Sequence, residues 1–215
     1  STQQNPTHTY TSPGVYNTTL TITTNAGCTD TYNANVVVNA NPVVNFSAPP
    51  VCIGNITSFQ NLTTISTGNV AQWAWDFGDG VGTDTQQNPT YTYTNVASYT
   101  VTLTATSDSG CIGTHSEVIN VNSRPIADFS FVAGCTPTAN FTDLSTVPFG
   151  NLNAWNWSFG DGGNSDLQNP WHEYTVPGTY SVTLTITSAD GCTGTTTIPN
   201  YITILPSPVA DFEAD

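Results

Sequence analysis

The chain has 215 residues, and its 15 Asp and Glu face a single basic residue, Arg124, for a formal charge of −14. That balance excludes partners bound through Lys and Arg, such as a nucleic-acid backbone or an anionic membrane surface. Only 7% of residues are charged, so an acidic disordered tail is excluded as well.

The polar residues are mostly Thr, Asn and Ser, mixed with Val, Ile, Tyr, Phe and Trp. Such a mixture suits half-buried pleated surfaces, with Gly, Pro and Asn supplying turns. No stretch approaches the roughly 18 apolar residues of a membrane helix, so no membrane insertion is expected. The polar opening, residues 1–5, reads as a mature secreted protein or an internal piece of one. Five Cys without a C-x-x-C pair argue against zinc and for isolated thiols or disulfides.

Internal repetition sets the organisation. Asn5-Pro6, Asn88-Pro89 and Asn169-Pro170 are spaced by 83 and 81 residues, and Cys28, Cys111 and Cys192 by the same intervals. Cys52 and Cys135 lie 83 apart, as do Pro42, Pro125 and Pro208, each proline followed by an apolar-x-Asn/Asp-Phe run. The expected divisions are 1–41, the second half of a repeat; 42–124 and 125–207, complete repeats; and 208–215, the first strand of another. Half a sandwich cannot bury its own core, so residues 1–41 are expected to be completed by strands from outside this sequence.

Taken in chain order, the first strand signal is Tyr16 to Thr23. In the next repeat Trp73, Trp75 and Phe77 share one strand face and enter a tight Gly-Asp-Gly turn, where Gly80 supplies positive φ, as Gly162 does later. Tyr99, Val101, Leu103 and Ala105 then alternate with Thr. The third repeat shows Trp155, Trp157 and Phe159, then Tyr180, Val182, Leu184 and Ile186 alternating with Ser and Thr. A period of two buries one face and leaves hydroxyls on the other. Many short strands without helical periodicity predict an all-β antiparallel sandwich.

Trp75-Asp76-Phe77-Gly78-Asp79-Gly80, then Asn88 to Tyr93, then Tyr99 to Thr104 together resemble the signature of the PKD (polycystic-kidney-disease, immunoglobulin-like) domain. The third repeat matches with Ser158 in place of the first Asp. The resemblance implies tandem immunoglobulin-like antiparallel β-sandwiches and a non-enzymatic role. Tandem copies with paired Cys are similar to long surface proteins of Bacteroidetes-type bacteria, which implies an extracellular or cell-surface location.

Candidate sites are few. Asp76, Asp79 and Asp84, with Asp161 and Asp166, offer hard oxygen ligands for calcium, the one cofactor considered. They lack the Asp-x-Asp-x-Asp-Gly spacing, so bonding to their own turns is the expected role. His8 and His172 occupy a position held by Tyr91, which points to a ring rather than a base, and no Ser-His-Asp set follows from the spacing. Trp171 stands where the other repeats have Thr7 and Thr90, a candidate for an exposed aromatic. Asn-x-Ser/Thr marks Asn17, Asn45, Asn55, Asn61, Asn140 and Asn156 as candidate glycan acceptors, beside hydroxyl-rich strand faces.

Two disulfide patterns are compatible with the counting. One closes each repeat, Cys52–Cys111 and Cys135–Cys192; the other joins repeats through Cys52–Cys192. In the implied sandwich, the loop after the first strand and the turn between the last two strands lie at opposite ends. The strand from Tyr180 to Thr187 alone spans about 25 Å, against the ~7 Å limit between bonded Cα atoms, which favours the inter-repeat bond. The function expected is a structural array forming a stalk or fibre, its partners neighbouring repeats of the same or identical chains. The alternative is an adhesin or polysaccharide-binding accessory module of a secreted hydrolase.

Overall fold

The computed structural model describes residues 1–133 and 137–206; Cys135 and the 208–215 segment lie outside the described residues. The described residues form eighteen strands and no helix. The first two are β1 (Gly14–Thr23) and β2 (Thr29–Val38). Then come β3 (Phe46–Ser47), β4 (Val51–Cys52), β5 (Ile56–Ser58), β6 (Gln60–Asn61), β7 (Val70–Asp76), β8 (Thr83–Asp84), β9 (Thr90–Thr92), β10 (Ala97–Ser107) and β11 (Ile112–Asn122). The last seven are β12 (Phe129–Ala133), β13 (Thr138–Asp143), β14 (Leu152–Ser158), β15 (Asn164–Ser165), β16 (Trp171–Glu173), β17 (Gly178–Ser188) and β18 (Thr193–Ile204).

By contacts the chain divides into two units. One gathers Ser1–Pro49, Ile56–Thr92 and Ser98–Ile119; the other gathers Pro50–Asn55, Tyr93–Ala97 and the described residues from Asn120 onward. In the first, β7 lies antiparallel between β8 and β10, while β3 pairs with β6 and β5 with β9. Phe46 and Phe59 pack on Trp75 at ring separations of 5.0 and 5.4 Å. The predicted alternation is present: Val101, Leu103 and Ala105 of β10 are buried, and the intervening Thr side chains are half-buried.

The same unit contains β1 and β2, paired antiparallel over ten residues from Gly14↔Val38 to Thr23↔Thr29. Leu20 and Ile22, which correspond to the fully buried Leu103 and Ala105, are 61% and 57% exposed. The apolar face of this hairpin is therefore open among the described residues.

The second unit is a sandwich of β12-β13-β16 against β15-β14-β17-β18. Between the sheets lie Phe129, Phe141, Trp157, Phe159, Tyr174, Val182, Leu184, Ile186 and Ile202, all nearly inaccessible. Trp157 sits centrally, 5.1 Å from Phe129 and 5.3 Å from Phe141. One pairing departs from the expected antiparallel pattern: β4 runs parallel to the end of β11, Val51↔Val121 and Cys52↔Asn122. That short ladder, together with the Ile53 N–H bond to the Asn122 carbonyl (2.9 Å), fixes the loop that carries Cys52.

Candidate functional site

Each complete repeat builds a turn around its Phe-Gly-Asp-Gly motif. The Phe77 N–H bonds the Gly82 carbonyl at 3.1 Å, and Phe159 N–H bonds the Gly163 carbonyl at 3.0 Å, closing the turn. The Asp79 carboxylate accepts the Gly82 and Val81 N–H groups at 2.7 and 3.1 Å. Asp161 accepts the Gly163 N–H at 2.9 Å.

An aromatic ring finishes both turns. Tyr91 stacks on Phe77 with centroids 4.2 Å apart and donates its hydroxyl to Asp79 Oδ2. In the next repeat His172 stacks on Phe159 at 4.1 Å and its Nε2 meets Asp161 Oδ2 at 2.7 Å. The position therefore needs a flat ring with a polar edge that reaches the turn carboxylate, a requirement both Tyr and His meet.

The calcium candidates divide between these turns and do not converge. Asp76 accepts the Gly78 N–H at 2.8 Å and Asp84 the Gln86 N–H at 2.7 Å, as side chains that stabilise turns do. Among the described residues no three His, Cys, Asp or Glu side chains come together as a metal cluster.

Electrostatics follow from the same bonds. Asp79 is held below the ordinary carboxylate value, first by the Tyr91 hydroxyl and then by the Gly82 N–H; the reciprocal effect pushes the Tyr91 phenol up to about 12. For Asp161 burial raises the value, but the His172 hydrogen bond, the Gly163 N–H and the His172 charge outweigh it and the net direction is down. A carboxyl lowered by folding binds fewer protons in the folded than in the unfolded state. Its contribution to stability is present above the unfolded value of 3.8 and is lost as pH falls through the lower folded value. Thermal unfolding followed between about pH 5 and pH 2 is expected to show a shallower acid slope in the Asp79→Asn/Asp161→Asn double variant than in the parent. Equal slopes would remove these two turns from the acid response.

The Asn-Pro pairs act on the neighbouring strand. Asn88 Oδ1 accepts the Asn61 N–H at 2.9 Å and Asn169 Oδ1 accepts the Asp143 N–H at 2.8 Å, while the carbonyls of Pro89 and Pro170 accept from Phe59 and Phe141. Trp75 and Trp157 are core residues, and their indole N–H groups hold the Gln86 and Leu167 carbonyls, both at 2.9 Å. Trp73 and Trp155 are half-buried on the same strands, and Trp171 is 64% exposed. Of the candidate glycan acceptors, Asn17, Asn45, Asn55, Asn140 and Asn156 are exposed. Asn61 differs from these: the residue is buried and its amide oxygen accepts the Thr63 N–H.

The remaining site is covalent and lies within the second unit. Cys52 and Cys192 form a disulfide with an S–S length of 2.03 Å and a Cα–Cα distance of 5.6 Å, across 140 residues of sequence. The alternative that closes each repeat is not formed: Cys111 carries a free thiol and Cys192 is bonded to Cys52 rather than to Cys135. Cys192 sits in a tight turn in which Ser188 N–H bonds the Cys192 carbonyl and Ser188 Oγ accepts the Cys192 N–H. The Cys52 loop is clamped from the other side by Arg124, whose Nε donates to the Ile53 carbonyl at 3.1 Å and whose terminal nitrogen donates to Asn55 Oδ1. Sequence reasoning used Arg124 only as a charge count; its role follows from its position two residues past Asn122, the ladder partner of Cys52. Arg124→Ala is expected to cost about 1 kcal/mol and to slow recovery of the Cys52–Cys192 bond after reduction, as read by urea midpoint and timed mass mapping.

A family model of the PKD domain matches the chain three times, over residues 1–38, 39–121 and 122–204. A microbial collagenase of Vibrio alginolyticus is 43% identical over 56 residues, which is 26% of this chain and 7% of that protein. Among solved structures, the PKD1 domain of the Vibrio cholerae metalloprotease PrtV is 40% identical, covering 38% of this chain and 96% of that one, with a TM-score of 0.35. The PKD1 domain of Vibrio anguillarum Epp is 32% identical, covering 39% and 96%, with a TM-score of 0.37. With the same turn, ring and Asn-Pro contacts built twice over and the family model matched across three successive stretches, this chain belongs to the PKD domain family.

Proposed function

We propose that the chain is a non-catalytic, extracellular segment that works as a stalk or fibre on or from a bacterial cell surface, its repeats locked to one another covalently. The observation that carries this reading is the Cys52–Cys192 bond, which links a loop in the second family match to a turn in the third. A bond across that boundary resists separation of the two stretches under load, which a digesting or signalling module does not require. An extracellular setting fits a disulfide, because reducing compartments keep thiols free. The partners in this reading are neighbouring repeats of the same or of identical chains. Electron microscopy of the array is the test: beaded rods or filaments with a regular axial repeat are expected, and compact particles under oxidising conditions would refute it.

A second reading is an accessory module of a secreted hydrolase, with adhesion or polysaccharide binding as its task. It is favoured by the likeness to a metalloprotease PKD1 domain and to part of a collagenase, and by the exposed Trp171. Co-sedimentation with insoluble collagen and polysaccharides tests it, and loss of binding in Trp171→Ala would support it. Attached sugar is a further expectation of the surface reading, at exposed Asn residues or on the Thr faces. An intact mass equal to the bare polypeptide would exclude it.

A further inference from the structure

The turn that carries Cys192 is built three times. In each copy the cysteine carbonyl accepts an N–H from a residue four positions earlier: Thr24 to Cys28 at 2.9 Å, Ser107 to Cys111 at 2.8 Å and Ser188 to Cys192 at 2.8 Å. In each, that residue's hydroxyl accepts the cysteine N–H, at 3.2, 3.0 and 3.1 Å. Only the third is bonded; Cys28 and Cys111 are free, the first exposed and the second half-buried.

In the second unit, Cys192 is reached by the Cys52 loop because that loop lies along the end of β11, at Val121 and Asn122. The residues at the same place in the first unit are Val38 and Asn39, at the end of β2. They line an open hollow of about 260 Å³ together with Val37, Thr67, Gly68 and Ser109, and Ser109 lies two positions before Cys111. Thr67 and Gly68 correspond to Phe149 and Gly150, and Ser109 corresponds to Asp190. The first unit thus repeats, position for position, the strand end and the turn that receive a Cys-bearing loop in the second, with the Val-Asn strand end identical and a hollow beside it.

We propose that this hollow is the docking site for a second loop of the type Pro-Val-Cys-Ile-Gly from another PKD repeat, and that Cys111 is its covalent acceptor. The inference deepens the reading of the chain as a stapled array, since it gives that array a further bond of the same kind. The loop enters extended beside Val38–Asn39, as Val51–Cys52 lies beside Val121–Asn122, and presents its thiol to Cys111. Asn41 stands where Arg124 stands and offers an amide donor to the loop carbonyl. The chemistry is thiol–disulfide exchange with a low-molecular-weight disulfide, such as oxidised glutathione, as oxidant. The Cys111 thiolate attacks that disulfide and releases one glutathione thiolate; the loop thiolate then displaces the second, forming the protein disulfide. Two cysteine thiols are oxidised to the protein disulfide, one glutathione disulfide is reduced to two thiols, and the two protons of the cysteine thiols end on the two glutathione sulfurs.

The test uses the full chain with its Cys52–Cys192 bond intact. The probe is a synthetic peptide of residues 48–56, Ala-Pro-Pro-Val-Cys-Ile-Gly-Asn-Ile, activated as its mixed disulfide with thionitrobenzoate. Release of the coloured thiolate gives the rate, and peptide mapping gives the cysteine modified. A scrambled peptide of the same composition, similarly activated, is the comparison. Docking before exchange raises the effective concentration of the reactants, so coupling at Cys111 is expected to be at least about tenfold faster with the loop sequence than with the scrambled one. The same preference is expected to vanish in Cys111→Ser, whose Cys52–Cys192 bond, mapped in the same digest, reports an intact fold. Equal rates for the two peptides, or preferential coupling elsewhere, would overturn the proposal. The array reading fails separately: compact particles by microscopy, with selective coupling at Cys111 retained, would refute the fibre and leave this site standing.

Discussion

Removing the Cys52–Cys192 bond, as Cys52→Ser/Cys192→Ala, is expected to lower stability by as much as about 5 kcal/mol, with guanidinium or urea unfolding as the measurement. In the chain-entropy model the stabilisation grows with the logarithm of the closed loop, and this loop of 140 residues is long. The bond is held from both sides, by the β4 ladder and Arg124 on one and by the Ser188 turn on the other, so little of the gain is given back in ordering its ends. Alanine suits position 192, which is fully buried, whereas serine suits the half-buried position 52. Two signatures separate this effect from a packing defect. The parent under reductant should unfold with the variant, and the denaturant dependence should steepen in both, because an unlinked unfolded chain exposes more surface. A variant with the parent's midpoint would mean that the bond follows folding without stabilising it.

The sandwich, the strand alternation and the repeat were legible because they rest on spacing. Val101, Leu103 and Ala105 are buried because a period of two leaves no other face for them. The role of Asp79 and Asp161 was partly legible. Asp in a Gly-rich turn predicts backbone bonding, but the ring that completes the turn comes from twelve residues beyond Asp79 and eleven beyond Asp161, on another strand. The alternation of Tyr91 with His172 in the repeat revealed the need for a ring; the carboxylate it meets required the fold. Arg124 was invisible in the same way, because its partners Ile53 and Asn55 are 71 and 69 residues away. Asn61 shows what a motif leaves out: its Asn-x-Thr pattern carries no burial, and the fold buries the residue. The parallel β4–β11 pairing left no periodic signal, since two residues define no period.

Gly160 and Gly162 provide the sharpest test of the turn, because they share a backbone conformation and differ in their surroundings. Their φ angles are +88° and +97°, both in the region where an L side chain is strained. A methyl group on Gly162 would meet nothing within 4 Å, so Gly162→Ala is expected to cost the conformational term alone, about 1–2 kcal/mol. At Gly160 the same methyl would lie 2.4 Å from the backbone carbonyl oxygen of Ser181, a contact no rotamer relieves. Ser181 cannot withdraw without moving β17, whose next residues Val182, Leu184 and Ile186 are wholly buried in the core around Trp157. Gly160→Ala is therefore expected to cost at least about 4 kcal/mol, in the range reached only by core or backbone lesions. Gly78, with φ +78° and Thr100 O at 2.3 Å, predicts the same result one repeat earlier. The comparison is made by urea unfolding of the two alanine variants side by side, with the Cys52–Cys192 bond intact in both. Comparable losses at 160 and 162 would show that β17 yields to the methyl group, and that the motif glycine is required only for its dihedral angles.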